Sequence, residues 1–343
     1  MEKQNNKVPL IGFTPQELCS TMQEYGGTSF QAESLMRWIY RKREKDISTF
    51  SDIPKAILQS VEQSYTVGLY PPKESKRSDD GSVKYLFANG QNQVFEAVAM
   101  SSGNRHTLCL STQSGCRMGC RFCRTGSIRF NGNLSAGDII NQVLSIPDSK
   151  RLNRIVLMGM GEPLDNLKVV NKTLEILTAD WGCALGKSNI TISTVGLLSE
   201  LEAFLKSPGC NLAISLHSPF PDERAMLMPV ERTNPILEII KLLKHYPLKK
   251  PLRLTFEYVA LGSLNLSKNH ARAIATLLSG LSCHLNIIPW NRHNAATFQS
   301  PTSDELTNFM ELLNDAGIPT NLRKSMGGDI DAACGQMAGN APH

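Results

Sequence analysis

The sequence has no apolar run long enough to cross a membrane. Its longest apolar stretches, such as residues 154–158 and 212–216, are far shorter than the roughly 20 residues of a transmembrane helix. The first seven residues also lack the apolar core of a secretory signal peptide. We therefore expect a cytoplasmic protein that has no membrane partner.

The cysteines do not have the even count and regular spacing that are typical of a disulfide-stapled secreted domain. The chain has nine cysteines in 343 residues, and a reducing compartment disfavours structural disulfides. Some of them are scattered, whereas others crowd into one short segment, which is therefore interpreted as a metal-binding or catalytic site. The crowded cysteines are Cys109, Cys116, Cys120 and Cys123.

Acidic side chains are missing from one stretch of the chain. Between Glu96 and Asp138 there is no Asp or Glu, and a positive field of this kind would suit an anionic substrate such as RNA. The net charge of +5 is mild, however, and on charge alone a solvated basic surface is the simpler explanation. The arginines of the stretch are Arg105, Arg117, Arg121, Arg124 and Arg129.

The N-terminal part of the chain is predicted to be helical. Thr14 with Glu17, and Thr28 with Gln31, have the spacing of capping boxes, in which two side chains satisfy free backbone N–H groups at a helix start. We assign residues 1–75 to a small helical accessory domain. This domain either contacts RNA or is an accessory helical bundle whose basic residues only keep it soluble.

Two apolar runs, residues 83–87 and 94–98, flank the pair Asn89-Gly90. Both residues of this pair tolerate a positive φ angle, as the tight turn of a β-hairpin requires. Residues 76–103 are therefore predicted to be a β-hairpin that links the accessory domain to the rest of the chain.

From about residue 104 onward, β-rich apolar runs alternate with helical segments. This alternation predicts an α/β fold of right-handed βα units with parallel strands, either a wound sheet or a partial (βα)6 barrel over residues 104–343. We favour the barrel, because polar residues follow the ends of several strands. The predicted strands are 106–111, 154–158, 189–193, 211–216, 253–259 and 284–290. The predicted helices include 136–144, 169–177, 235–243 and 271–278.

Cys116, Cys120 and Cys123 form a Cys-x3-Cys-x2-Cys motif directly after the first predicted barrel strand. Thiolates hold iron–sulfur clusters, and a cubane cluster needs a ligand at each of its four irons. Three thiolates would leave one iron open to bind another molecule. A structural zinc site is the alternative, with His106 or Cys109 as its fourth ligand.

Polar residues stand where successive predicted strands end. In a parallel barrel the carboxyl ends of the strands build the site, so these residues predict a pocket. Glu162, which follows the second strand, could bind an ammonium group there. The residues at the later strand ends are Ser193, Ser215, His217 and Asn291.

Near the C-terminus, Cys334 lies in a segment rich in glycine and alanine that is predicted to be a flexible loop. An exposed cysteine in such a loop could act as a nucleophile. The alternative is an incidental cysteine, because a lone cysteine in a loop often has no role.

These motifs resemble those of the RlmN/Cfr family of radical S-adenosylmethionine methyltransferases, which act on adenines of ribosomal and transfer RNA. The resemblance extends from about residue 28 to residue 339, and the Asp-Ala-Ala-Cys-Gly-Gln segment is its most specific part. The matching segments are 107–116, 120–126, 159–163, 193–196, 215–217, 288–291 and 331–336.

The resemblance implies two cofactors. A [4Fe-4S] cluster would be held by Cys116, Cys120 and Cys123, and S-adenosylmethionine would bind beside it in a six-stranded βα barrel. The residues that would bind S-adenosylmethionine are Gly161, Glu162, Ser193, Ser215, Leu216, His217 and Asn291.

The resemblance also implies a reaction in two stages. One S-adenosylmethionine molecule would methylate Cys334, and a second would be cleaved at the cluster to a radical that activates this methyl group for addition to adenine. Cys109 would release the product by taking a ring proton and pairing with Cys334, and Glu96 matches the family's second acid–base position.

The implied reaction is methylation of adenine C2 in 23S ribosomal RNA, with transfer RNA as a further substrate. Met326 and Gly328 depart from the family pattern, because adenine-C2 methylators typically carry an arginine and an acidic residue there; Leu266 and Arg124 are further departures. Methylation of adenine C8, or action on a different RNA or on a protein, is therefore the alternative. An electron donor such as flavodoxin and a monomeric chain are also expected.

Overall fold

The computed structural model describes residues 7–338. Its strands are β1 (Val8–Pro9), β2 (Tyr65–Thr66), β3 (Glu74–Arg77), β4 (Val83–Ala88), β5 (Val94–Ser102), β6 (Arg105–Cys109), β7 (Arg154–Leu157), β8 (Ile190–Thr194), β9 (Asn211–Ser215), β10 (Leu254–Ala260), β11 (Cys283–Pro289) and β12 (Thr320–Leu322). Its α-helices are α1 (Pro15–Glu24), α2 (Ser29–Met36), α3 (Lys55–Ser64), α4 (Ala136–Leu144), α5 (Leu167–Thr178), α6 (Leu198–Lys206), α7 (Pro221–Leu227), α8 (Ile236–His245), α9 (Lys268–Leu278) and α10 (Ser303–Asp315). A π-helix, Arg37–Lys42, continues α2.

Ten strands form one sheet, in the order β12-β11-β10-β9-β8-β7-β6-β5-β4-β3. Strands β6 to β12 pair in parallel, whereas β3 to β6 pair antiparallel. The six predicted strands correspond to β6 to β11, which confirms the α/β prediction. Because these strands are parallel neighbours, their carboxyl ends lie along one rim of the sheet.

Helices connect the parallel strands, as a parallel sheet requires. The four helices named from the sequence correspond to α4, α5, α8 and α9. The sequence patterns did not predict α6, α7 and α10, nor the edge strands β3 and β12.

The helical N-terminal part begins with the two predicted capping boxes. Thr14 Oγ1 accepts the N–H of Glu17, and the Glu17 carboxylate accepts the N–H of Thr14 at 2.7 Å. Thr28 and Gln31 make the same reciprocal pair at the start of α2. Local side-chain chemistry therefore sets both helix starts.

The predicted hairpin is present, but its turn differs from the predicted one. Strands β4 and β5 pair from Ala88↔Val94 onward, so the connection is longer than the two residues Asn89-Gly90. Asn92, with φ +56°, supplies the positive φ angle. The Asn89 side chain accepts the N–H groups of Gln91 and Gln93, each at 3.0 Å, which stabilises this longer loop.

The helical N-terminal part packs against the barrel in one continuous apolar core that runs from Leu10 to Met337. Gly12 touches α4 so closely that a Cβ atom there would lie 2.4 Å from the Gly137 nitrogen. Tyr40 accepts the N–H of Gly12 at 3.0 Å and packs edge-on against Trp181, which follows α5.

The division into residues 1–75, 76–103 and 104–343 stays a prediction, and its outer residues 1–6 and 339–343 lie outside the described part of the chain. Strand β3 spans the first boundary, and β5 pairs with β6 across the second.

Over residues 7–338, no helix is both long enough and apolar enough to span a bilayer.

Candidate active site

Two cavities meet at Cys334, on the rim formed by the carboxyl ends of the parallel strands. The first, which we call the strand-end cavity, has about 950 Å³ of empty space, part of it open to solvent. The second, which we call the thiol cavity because Cys109 also lines it, has about 750 Å³.

The structure brings most of the predicted site residues together. Cys109 lines the thiol cavity, whereas Leu216 and Glu96, both within the described chain, line neither cavity. The predicted residues that line the strand-end cavity are Cys116, Cys120, Cys123, Gly161, Glu162, Ser193, Ser215, His217, Asn291 and Cys334.

The Cys-x3-Cys-x2-Cys motif lies on the loop after β6. Burial raises the pKa of Cys116 to about 12, and it raises the pKa values of Cys120 and Cys123 as well. Buried thiolates need positive charge beside them, which the irons of a cluster would supply. Gly126 lets this loop close tightly, since a Cβ atom there would lie 2.7 Å from the Cys120 carbonyl oxygen.

This donor set can hold a cubane cluster, with one thiolate on each of three irons. Within residues 7–338, no three His, Cys, Asp or Glu side chains converge as they would around one metal ion. A cubane cluster does not need side chains that converge on one point, because each thiolate binds a different iron. Neither His106 nor Cys109, the possible fourth zinc ligands, shares the strand-end cavity with the three cysteines, and His106 Nδ1 lies 3.0 Å from Ser101 Oγ.

Glu162 and Gly161 form the cavity wall after β7. The buried Glu162 carboxylate accepts the N–H groups of Val195 at 2.9 Å and Leu164 at 3.0 Å, so it ties the loops after β7 and β8 together. Burial raises the pKa of Glu162 to about 7. Gly161 has φ +100°, and a Cβ atom there would lie 2.5 Å from Gln113 Cβ, so only glycine fits.

His217 follows β9 and is held as a neutral imidazole. The Val259 N–H donates to His217 Nδ1 at 2.9 Å, so this nitrogen carries no proton. Burial lowers the pKa of His217 to about 3, and the nearby Arg224 charge acts in the same direction. The preceding Leu216 is fully buried, and its N–H donates to the Glu257 carbonyl oxygen at 2.9 Å.

The loop that carries Cys334 is fixed from two sides. Asn291 Nδ2, after β11, donates to the Cys334 carbonyl oxygen at 3.0 Å. From the cysteine loop, the Arg124 N–H donates to the Gly335 carbonyl oxygen at 2.7 Å, and Thr125 Oγ1 donates to the Met337 carbonyl oxygen at 2.7 Å. The segment is a loop, as predicted, but these contacts hold it across the rim.

The thiol cavity is lined by Cys123 of the cysteine motif and by two further free thiols, Cys109 and Cys334, in mostly apolar surroundings. Burial raises the pKa values of both Cys109 and Cys334, and the Arg323 guanidinium opposes this increase at both. Cys109 is buried at the end of β6, whereas Cys334 is exposed as a residue although its thiol is desolvated enough for its pKa to rise. The apolar wall includes Val98, Met100, Val156, Met158, Ile288, Met326 and Met337.

Glu96, on β5, contacts the end of the Cys334 segment and lines neither the strand-end cavity nor the thiol cavity. Its Oε2 accepts the Ala338 N–H at 3.1 Å, and its Oε1 lies 3.5 Å from Lys84 Nζ. Its acid–base role stays a prediction.

Comparisons with known proteins agree with this arrangement. The family model described as the radical SAM superfamily matches residues 110–274, and the one described as the ribosomal RNA large subunit methyltransferase N-terminal domain matches residues 8–67. A probable dual-specificity RNA methyltransferase RlmN of Parabacteroides distasonis is 41% identical over 333 residues, which cover 97% of this chain and 97% of that protein. The chain belongs to the RlmN family of radical SAM proteins.

Two further relatives extend the comparison. The dual-specificity RNA methyltransferase RlmN of Syntrophotalea carbinolica is 38% identical over 337 residues, covering 98% of this chain and 91% of that protein. The crystal structure of a radical SAM methyltransferase from Sphaerobacter thermophilus superposes with a TM-score of 0.92 at 35% identity, covering 97% of this chain and all of that one. Membership of the radical SAM superfamily implies S-adenosylmethionine and a [4Fe-4S] cluster.

Arg224 supports the RlmN-family site but was missed by the sequence reasoning. It is fully buried, and its guanidinium donates to the carbonyl oxygens of Ser215 at 2.8 Å, Val195 at 3.1 Å and Leu216 at 3.1 Å. Glu231 pairs with it and balances its charge. One side chain thus fixes the ends of β8 and β9, and no motif in the sequence marks it.

Asn265, whose neighbour Leu266 departs from the family pattern, braces His217. Its Nδ2 donates to the carbonyl oxygens of His217 at 2.9 Å and Val259 at 2.8 Å, and its Oδ1 accepts the Leu261 N–H at 2.8 Å. It is fully buried, so every polar atom of its side chain is used.

Proposed function

We propose that this chain is a radical S-adenosylmethionine methyltransferase that adds a methyl group to C2 of adenine in 23S ribosomal RNA and in transfer RNA. The observation that carries the proposal is that Cys334 lines both cavities. A cysteine that lines both cavities could receive a methyl group from one cavity and deliver it to a base in the other. The RNA methyltransferase names of the relatives support the substrate class.

The strand-end cavity is the proposed cofactor site. Cys116, Cys120 and Cys123 would hold a [4Fe-4S] cluster there. When bound, the cluster and S-adenosylmethionine supply the methyl group and the radical chemistry that an unreactive ring carbon needs. The proposed residues for S-adenosylmethionine are Gly161, Glu162, Ser193, Ser215, Leu216, His217 and Asn291.

The two thiols have different proposed roles. Cys334 Sγ carries the methyl group, and the hydrogen bond from Asn291 to its carbonyl oxygen keeps the loop in place between the cavities. Cys109 Sγ would take the proton that the ring carbon gives up, and the adduct would also lose one electron, for which the oxidised cluster would be the acceptor. The Cys109 thiolate would then attack Cys334 Sγ, so that the S–S bond forms as the bond from Cys334 Sγ to the methylene carbon breaks and that carbon takes up a proton to become the product methyl group. The apolar wall around both sulfurs limits the access of water to them.

Glu96 is proposed as a second acid or base. Its contacts with Ala338 and Lys84 support a role near the end of the Cys334 segment. An acid–base role requires that this segment move when RNA binds, because Glu96 lines neither cavity within the described chain.

The proposed partners are RNA and a low-potential electron donor such as flavodoxin, and the chain is proposed to act as a monomer. Arg105, Arg121 and Arg129 are exposed and would add positive charge to an RNA-binding face. In the same stretch, Arg117 and Arg124 pair with Asp165 and Asp331.

The test is nucleoside mass spectrometry after anaerobic incubation of the reconstituted chain with S-adenosylmethionine, a reductant, ribosomal RNA and transfer RNA. The proposal predicts 2-methyladenosine. Formation of 8-methyladenosine would move the reaction to C8, the alternative that Met326 in the thiol-cavity wall keeps open. Cleavage of S-adenosylmethionine without any methyladenosine would overturn the substrate assignment.

A further inference from the structure

Glu257 is a buried carboxylate that has one unused oxygen. It lies in the middle of β10, in register with Ser215 of β9 and Asn286 of β11, and only 3% of it is exposed. Its Oε1 accepts hydrogen bonds from Asn286 Nδ2 at 2.8 Å and Thr255 Oγ1 at 3.3 Å. Among the described residues, its Oε2 has no hydrogen-bond partner. A buried carboxylate in this state needs an opposite charge nearby.

Arg323 supplies that charge from the other cavity. Its Nε lies 3.6 Å from Glu257 Oε2, which is an ion pair but too long for a good hydrogen bond. Its backbone N–H donates to the Ile287 carbonyl oxygen at 2.8 Å, which fixes the residue beside β11. Glu257 lines the strand-end cavity and Arg323 lines the thiol cavity, so the pair spans the wall between them.

The thiol cavity suits a planar base whose ring edge faces the Arg323 guanidinium group. Seven of the 18 residues that line the cavity are methionine, valine or isoleucine, whose side chains favour an aromatic face; Lys324 and Ser325 also line it. Arg323 is close enough to both thiols to lower the pKa values of Cys109 and Cys334 against the effect of burial. The ring nitrogens of adenine accept hydrogen bonds, and a guanidinium group can only donate them.

We propose that Arg323 is a specificity-determining residue that donates a hydrogen bond to a ring nitrogen of the target adenine. Glu257 is then a positioning residue, because it acts on the base only by holding the guanidinium group. The inference rests on the proposed function and deepens it by naming how the base is recognised. Arg323 is about one third exposed, but it is the charge partner of the buried Glu257, so the folding of each Arg323 variant is checked by circular dichroism.

The experiment measures equilibrium binding of a fluorescent hairpin RNA with one unpaired adenosine to the full-length, anaerobically prepared holoprotein. Three further hairpins carry 1-deaza-, 3-deaza- or 7-deazaadenosine at that position, and each lacks one ring nitrogen. The wild type is expected to bind one of the three about tenfold more weakly than the adenosine hairpin, as for one lost hydrogen bond to a charged donor.

Arg323→Met is expected to bind the adenosine hairpin about tenfold more weakly and to lose the preference against that analogue. Arg323→Lys should restore part of the preference, since it keeps a donor. Glu257→Gln should weaken the preference while the circular dichroism spectrum stays that of the wild type. The control is Arg272→Met on the exposed face of α9, which removes the same charge away from both cavities and should leave the preference intact.

Equal binding of all four hairpins by the wild type would overturn the inference, and so would undetectable binding. It is also overturned if Arg323→Met weakens every hairpin by one common factor. Nucleoside mass spectrometry decides separately on the proposed function. If methyladenosine forms but the wild type binds all four hairpins equally, the proposed function stands and the role of Arg323 is wrong. If the wild type discriminates against one analogue but no methyladenosine forms, base recognition by Arg323 stands and the proposed function is wrong.

Discussion

Single buried polar residues give the RlmN-family site its shape, and His217 shows the consequence most directly. Its backbone has a φ angle of +57°, and its ring is neutral because the Val259 N–H donates to Nδ1. The pKa of His217 is lowered to about 3 by burial, from an ordinary value near 6.5. Protonation therefore opposes folding whenever the pH is below the unfolded value.

We predict that His217 makes folding acid-sensitive. With a depressed folded pKa, its contribution to stability is complete above about pH 6.5 and is lost as the pH falls toward 3. Between pH 7 and pH 5 the loss is about 2 kcal/mol. His217→Asn keeps an acceptor at the δ position and tolerates a positive φ angle, but it does not titrate.

Urea unfolding at the two pH values measures this effect. The free energy of unfolding of the wild type should fall by about 2 kcal/mol more than that of His217→Asn. An equal loss in both proteins would show that the acid sensitivity comes from other groups.

The sequence predicted residues with a chemical signature and missed residues that act through burial. Cys116, Cys120 and Cys123 have a spacing that only a few kinds of site use. Arg224 and Asn265 have no such spacing, because their partners are backbone carbonyl groups brought together by the fold. A buried arginine cannot be told from an exposed one in a single sequence.

At the scale of elements, the ends of β8 and β9 depend on the buried Arg224–Glu231 pair. We predict that Arg224→Met lowers the free energy of unfolding by about 3–5 kcal/mol, because it leaves the Glu231 charge buried and the strand-end carbonyl groups unpaired. The matched control is Lys206→Met, which breaks the exposed pair with Glu202 and should cost less than about 1 kcal/mol. Equal losses in the two variants, measured by urea unfolding, would contradict this role.

The turn after β7 depends on Gly161. We predict that Gly161→Ala lowers the free energy of unfolding by more than about 1 kcal/mol and weakens the binding of S-adenosylmethionine, since its Cβ atom would clash with Gln113. Gly90→Ala, where a Cβ atom meets nothing within 4 Å, is the control and should be neutral. Thermal unfolding and equilibrium dialysis with labelled cofactor measure the two effects. If Gly161→Ala binds S-adenosylmethionine as tightly as the wild type, the close packing of Gly161 against Gln113 does not shape the cofactor site.

Local signals predicted elements better than they predicted connections. The capping boxes at Thr14 and Thr28 need only neighbouring residues, so the sequence shows them. The predicted two-residue turn after β4 was wrong, because the Asn89 side chain stabilises a longer loop than the Asn-Gly pair predicts. The edge strand β12 has three residues and exists only because β11 is beside it.

For the whole molecule, the continuous core predicts that the helical N-terminal part and the barrel unfold together. Trp38 belongs to the π-helix after α2 and Trp181 follows α5, so their fluorescence reports on both parts. We expect one thermal transition, with the same midpoint for tryptophan fluorescence and for circular dichroism. Two separated midpoints would show that the helical part is an independent domain.

The overall order of strands could be predicted, because alternating strands and helices leave few topologies open. The meeting of two cavities at Cys334 could not, since it depends on contacts between a C-terminal loop and strand ends far away in sequence.

Mass spectrometry of the peptide that contains Cys334 tests whether the methyl group passes through this residue. We predict an S-methyl group on Cys334 in protein isolated from cells, and RNA linked to Cys334 in the Cys109→Ala variant, which lacks the thiol proposed to release the product. Cys283→Ala, at a buried thiol that lines neither cavity, is the control and should not trap RNA. An unmodified Cys334 in both proteins, in preparations that still methylate RNA, would contradict methyl transfer through this residue.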